Sequence, residues 1–166
     1  MNVAFLIVDV QKEYVEEPMF KDQLKTAALY INEVSKYFRD AKRPVIHIQH
    51  ATAGDGKGTE GFKVADEIIQ KDSDIYMTKE YGNGFWKTNL EETLKSFEVD
   101  YVIISGLSAS SCVLATLNGA TERGFKASLL QHGLLGNSLE SVKLIENERN
   151  LISFSAIKYI LDLLNQ

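Results

Sequence analysis

The sequence contains one cysteine, Cys112, in 166 residues. A lone cysteine forms no internal disulfide, and this fits a reducing, cytoplasmic setting. There are two prolines, Pro18 and Pro44, and neither marks a linker, so a single domain over residues 1–166 is expected. No apolar run approaches the ~20 residues that cross a bilayer. Lys/Arg-rich runs interleaved with aromatics are missing, and the formal net charge is −5. Neither a nucleic acid nor an anionic membrane is therefore an expected partner. The stretch Met1–Asp9 lacks a basic n-region and a small-residue cleavage site, and it reads as a first strand rather than a signal peptide. Low-complexity segments and fixed-period repeats are absent.

Hydrophobic residues make up 45% of the chain, enough to bury a sizeable core at this length. Val3–Val8 is a continuous apolar run ending in Asp9, as suits a strand buried on both faces. From about Gln23 to Ala41 the residues Leu24, Ala27, Ala28, Ile31, Val34, Tyr37 and Phe38 form one helical stripe. Pro44 opens a second strand, Val45–His50. The segment 51–61 is rich in glycine and polar residues and reads as a mobile surface loop. A short helix is expected over Lys63–Gln70 and a third strand over Ile75–Thr78. Asn89 with Glu92 suggests a capping box for a helix through Phe97.

The remaining elements expected are a strand over Tyr101–Ser105, a helix over Ser110–Arg123 stopped by Gly124, and a strand over Lys126–Leu130. A helix over Leu139–Asn147, a short strand over Leu151–Phe154 and a helix over Ala156–Leu164 complete the chain. This alternation predicts an α/β fold of three αβα layers around a mainly parallel six-stranded sheet, Rossmann-like in its right-handed crossovers. Such sheets hold their site at the carboxyl ends of the strands. Asp9, Lys79 and the Gly106–Cys112 turn each follow a predicted strand, so all three are expected on the same sheet edge.

The residue types at that edge suit nucleophilic chemistry. A thiol at a helix start meets free backbone N–H groups and a positive dipole end, which lower its pKa. A nearby carboxylate can take the thiol proton. A lysine beside them would stabilise the thiolate and anchor the carboxylate. Each residue also has a plainer role open to it: Asp9 as a turn residue, Lys79 as a solvated loop lysine, Cys112 as a small buried hydrophobe. The first βα loop is acidic and bulky, which argues against a phosphate cradle. His47 and His50 face opposite sides of a regular strand, so they do not chelate one metal together. His47 reads as a core histidine. His50 and His132 each end a strand and are open as imidazole partners of Cys112. Tyr14, His50, Tyr81, Phe85 and Trp86 are candidate pocket residues, with loop packing or a subunit interface as the other use of the aromatics.

The motifs Leu6–Gln11, Thr78-Lys79 with Phe85 and Thr88–Leu90, and Gly106–Val113 with Thr116, Ala120 and Gly124 resemble the isochorismatase-like cysteine hydrolases, which include nicotinamidases and related amidases. The resemblance spans about Ala4 to Leu130. It implies an Asp9–Lys79–Cys112 triad and a non-proline cis peptide between Leu107 and Ser108. It also implies an oxyanion hole from the Ser108 and Cys112 N–H groups, and a homo-oligomer. The metal cluster of nicotinamidases has an Asp-x-His spacing that His47–Thr52 lacks, so no metal and no cofactor are expected. His132 and Gly133 stand where the family usually has an acidic residue and alanine. The retained cysteine tilts the reading to amide or ester cleavage of a small molecule through a thioester. A non-catalytic or redox-sensing binding protein on the same fold, and a Cys112–His dyad, are the readings left beside it.

Overall fold

The computed structural model describes residues 1–164. Six strands form one sheet: β1 (Val3–Val8), β2 (Val45–His50), β3 (Ile75–Lys79), β4 (Tyr101–Leu107), β5 (Lys126–Leu135) and β6 (Leu151–Ile152). Their order is β3-β2-β1-β4-β5-β6 and every neighbouring pair is parallel. The expectation of a mainly parallel sheet therefore becomes an all-parallel one. The helices are α1 (Lys12–Val15), α2 (Pro18–Asp40), α3 (Leu90–Ser96), α4 (Leu114–Glu122), α5 (Leu139–Glu148) and α6 (Phe154–Leu164).

The continuous apolar run of β1 follows from its central place, with all six residues buried. Val3, Phe5 and Ile7 pack against the stripe of α2 and against Ile157 and Leu161 of α6. Ala4, Leu6 and Val8 face the other layer, with Leu90 and Leu94 of α3, Leu117 and Ala120 of α4, and Val142 and Ile145 of α5. Both faces of the strand are thus apolar because both are covered.

Several boundaries depart from the sequence reading. Helix α2 begins at Pro18, five residues before the apolar stripe becomes regular, because proline's fixed φ and missing N–H suit a first helical turn. The expected helix over Lys63–Gln70 does not form. Its backbone groups are taken instead by the segment after β1, where Lys12 N donates to Lys63 O and Ala65 N to Val10 O. Asn89 makes no side-chain cap; the capping box belongs to α5, between Ser138 and Ser141. Strand β5 runs on to Leu135 through a register shift in which Ile104 pairs with Leu129 but Gly106 with Leu134.

Beyond β1 the chain crosses to β2 on one side, and beyond β4 it crosses to β5 on the other. The crevice between the carboxyl ends of β1 and β4 is the switch point of the sheet. Among the described residues no helix is long and apolar enough to cross a membrane.

Candidate active site

Asp9 is the first residue beyond β1. Its φ is +51°, a left-handed conformation that aspartate tolerates better than branched residues do. Only 3% of the residue is exposed. Lys79 ends β3, and its ammonium reaches past β2 to donate to Asp9 Oδ2 at 2.7 Å. Neither charge can be buried alone without a penalty of several kcal/mol, so each requires the other.

The β4 turn is built by backbone shape. Gly106 has φ +113°, and a Cβ there would stand 2.1 Å from Val8 O. Only glycine lets the end of β4 lie this close to the end of β1. The next peptide, Leu107–Ser108, is cis, as the resemblance implied. One π-type turn follows, Ala109–Val113, in which Ser111 N and Val113 N both donate to Ser108 O at 2.9 and 3.2 Å. Single π turns recur at functional positions. Cys112 sits in this turn rather than at the start of α4. The Ser108 N–H donates to no backbone carbonyl among the described residues.

The thiol of Cys112 is coupled to both Asp9 and Lys79. Burial pushes its pKa up and the Asp9 carboxylate pushes the same way, with Lys79 pulling back less. This corrects the expectation of a lowered pKa. The π turn offers no long dipole, and the cation that would help is already paired with Asp9. The sulfur therefore rests as a thiol. The pKa of Asp9 is also raised, by burial, with the Lys79 charge and hydrogen bond opposing. Its Oδ1 is buried and has no hydrogen-bond partner among the described residues. A carboxylate with one oxygen held by a lysine and the other free, close to a thiol, is arranged to accept the thiol proton.

Tyr14 and His50 belong to the same cluster. Tyr14 feels Asp9 and Cys112 electrostatically, and its pKa is raised mainly by burial. His50 Nδ1 lies 2.9 Å from Thr52 Oγ1. Burial and then Lys79 hold its pKa below the usual imidazole value. Gln11, fully buried, clamps this end of β2: its Oε1 accepts from His50 N at 2.7 Å, and its Nε2 donates to His50 O and Phe62 O. The sequence pointed to neither Gln11 nor Thr52 as a site residue. The role of Gln11 lies in a contact across 39 residues that no local pattern carries, and that of Thr52 depends on the place of its near neighbour His50 in the cluster.

The loop after β3 brings Gly82 beside the thiol, a Cβ there falling 4.0 Å from Sγ. It is anchored on α4 by Gly84 N donating to Thr116 Oγ1 at 2.9 Å. Phe85, expected in the pocket, is 4% exposed and packs on Phe125 with the Arg123 guanidinium over its ring. It is a core anchor of the loop, not a pocket wall. Tyr81 and Trp86 are 44% and 51% exposed on the loop surface, with Lys87 over the Tyr81 ring. His47 is buried between Asp74 and Tyr76, as a core histidine should be. His132 packs at a tilt against the Tyr30 ring, centroids 4.9 Å apart, inside the β5 irregularity. Because the sulfur is coupled to Asp9 and Lys79, a Cys112–His132 dyad has no support. Among the described residues no three His, Cys, Asp or Glu side chains group as metal ligands would.

Comparison with known proteins places these features in context. A family model described as the isochorismatase domain matches residues 3–144. The uncharacterised isochorismatase family protein YrdC of Bacillus subtilis is 30% identical over 131 residues, 76% of this chain and 70% of that protein. An isochorismatase-like hydrolase from Alkaliphilus metalliredigens superimposes with a TM-score of 0.86 at 21% identity, covering 96% of this chain and 99% of the other. The N-carbamoylsarcosine amidase of Thermoplasma acidophilum superimposes with a TM-score of 0.80 at 21% identity, over 93% and 97%. At such identities the two structures speak for the fold.

Proposed function

The chain belongs to the isochorismatase family, and from that premise we propose that it is a cysteine hydrolase cleaving a small-molecule amide or ester through a thioester on Cys112. The observation that carries the reading is the free, buried Oδ1 of Asp9 beside the Cys112 thiol, with Oδ2 fixed by Lys79. A curated relative named as an N-carbamoylsarcosine amidase, 33% identical over 64 residues or 39% of this chain, supports the amide in particular.

In this reading Asp9 takes the proton from Cys112 as the sulfur attacks the carbonyl carbon. The oxyanion is met by the Ser108 and Cys112 N–H groups. When the tetrahedral adduct collapses, protonated Asp9 gives its proton to the departing amine or alcohol. A water then loses a proton to Asp9, attacks the thioester and releases the acid, and the proton returns to sulfur. A positioned base of this kind typically contributes about 10²–10⁴ in rate, and one oxyanion donor about 10²–10³. Lys79 keeps Asp9 ionised at neutral pH and supplies fixed positive charge. The reading includes no metal or cofactor, a cytoplasmic setting that keeps the thiol reduced, and a homo-oligomer that light scattering would register.

The test is a screen of small amides and esters for release of amine, alcohol or acid, repeated with Cys112→Ala. Loss of all turnover in the variant, with the fold intact by circular dichroism, is expected. Full turnover by Cys112→Ala would rule the mechanism out. A binding protein on the same fold is the second reading, and the burial that pushes the Cys112 pKa up, away from a reactive thiolate, is what favours it. It would be favoured if no compound in the screen acylated Cys112.

A further inference from the structure

The charges around the thiol restrict what can approach it. Asp9 contributes one negative charge and Lys79 one positive charge, and these are bonded to each other at 2.7 Å. Glu13, on α1, adds negative potential at Tyr14. His50 contributes none. Thr52 N donates to His50 Nδ1 at 3.4 Å, and a backbone N–H can only donate. Nδ1 therefore carries the lone pair, and the neutral ring keeps its hydrogen on Nε2. Burial and the Lys79 charge both favour that neutral ring.

No arginine is available to grip a carboxylate. Arg39 is bonded to Asp74, Arg43 to Asn2, Arg123 to Glu91 and Gly119, and Arg149 to Glu148. These are all four arginines of the chain. In the loop beside the thiol, Lys87 is the remaining cation, and its Nζ lies over the exposed Tyr81 ring at 5.2 Å.

Resting on the cysteine-hydrolase reading, we infer that the site accepts an uncharged acyl group and rejects substrates carrying a carboxylate next to the scissile carbonyl. A carboxylate there would enter a partly desolvated space beside Asp9 with no cation to receive it. The Lys79 charge is committed, because Asp9 must stay ionised to act as base. Like charges a few ångströms apart repel, and more strongly the less water lies between them. A neutral amide or ester brings no charge for Asp9 to repel.

Cys112 is the only cysteine, so its alkylation reads the site without a known substrate. Iodoacetamide and iodoacetate are nearly the same size and differ by one charge. In both reactions the sulfur displaces iodide, forming an S–C bond as the C–I bond breaks, and the thiol proton leaves to the carboxylate or to solvent. Rates would be measured at pH 7.5 and 0.15 M salt by intact mass, each divided by the rate with N-acetylcysteine. A normalised preference for iodoacetamide of about tenfold or more is expected. Asp9→Asn should shrink that preference, and Lys87→Met should leave it unchanged. Equal or faster normalised reaction with iodoacetate overturns the inference. So does an unchanged ratio in Asp9→Asn, which would make the preference steric, or an increased one in Lys87→Met, which would make Lys87 a carboxylate receptor. None of these outcomes depends on turnover, so a failed hydrolase screen and a failed charge rule remain distinguishable.

Discussion

The buried pair of Asp9 and Lys79 is where most of the site's energetics reside. Both side chains are almost wholly out of water, so removing one leaves the other charged and unpaired. Asp9→Asn and Lys79→Met should each destabilise the fold by about 3–5 kcal/mol. The double variant should lose much less than the sum, because the remaining groups are neutral. Urea unfolding of the four proteins checks this cycle. The same pair sets the acid limb of activity. Asp9 works as base only when ionised, and burial raises its pKa. Activity should therefore fall with decreasing pH through a value above the ordinary aspartate range, and Asp9→Asn should lose that limb together with the rate. Phe85 and Trp86 give a contrast among neighbours. Phe85→Ala should cost about 3–5 kcal/mol as a core truncation, whereas Trp86→Ala on the exposed loop surface should change stability by less than about 0.5 kcal/mol. Thermal melts of the two variants decide it.

Among the elements, the end of β4 matters most. Its approach to β1 relies on a glycine whose Cβ position is occupied by Val8 O. Gly106→Ala should destabilise by on the order of 3 kcal/mol or more, combining a disfavoured φ with backbone overlap. Calorimetry should show this even though the change adds a single methyl group. The strands were legible in the sequence because buried parallel strands read as short apolar runs: β1 and β2 were placed to the residue. The shared edge of Asp9, Lys79 and the cysteine turn followed from the same alternation. What could not be read were features decided by distant partners. Val64 pairs with Gln11 instead of helping a helix. Gln11 and Gln49 both donate to Phe62 O and so hold the glycine-rich loop. The aromatic Phe85 turned inward because Phe125, forty residues away, offers it a partner. The π turn also escaped, since nothing in Ala109–Val113 separates one extra residue per turn from an ordinary helix start.

At the scale of the whole molecule, folding brings positions 9, 79 and 112 from three strand ends to one switch point, and so creates a thiol less acidic than in the unfolded chain. The sign of the linkage follows. With its folded pKa raised, Cys112 contributes stability that is fully present below its unfolded pKa and is lost as pH rises through the folded value. Thiolate absorbance near 240 nm should therefore titrate at lower pH in urea than in the native protein. A native titration at or below the unfolded one would contradict the burial account. The central claim is that Asp9 delivers this unreactive thiol to a carbonyl. The most direct measurement is acyl-enzyme formation from p-nitrophenyl acetate at pH 7, followed by intact mass and by the nitrophenolate burst, in the wild type and in Asp9→Asn checked for native fold. The account predicts an acetyl adduct on Cys112 in the wild type, formed at least about 10²-fold more slowly in Asp9→Asn. Equal acylation rates in the two proteins would contradict it.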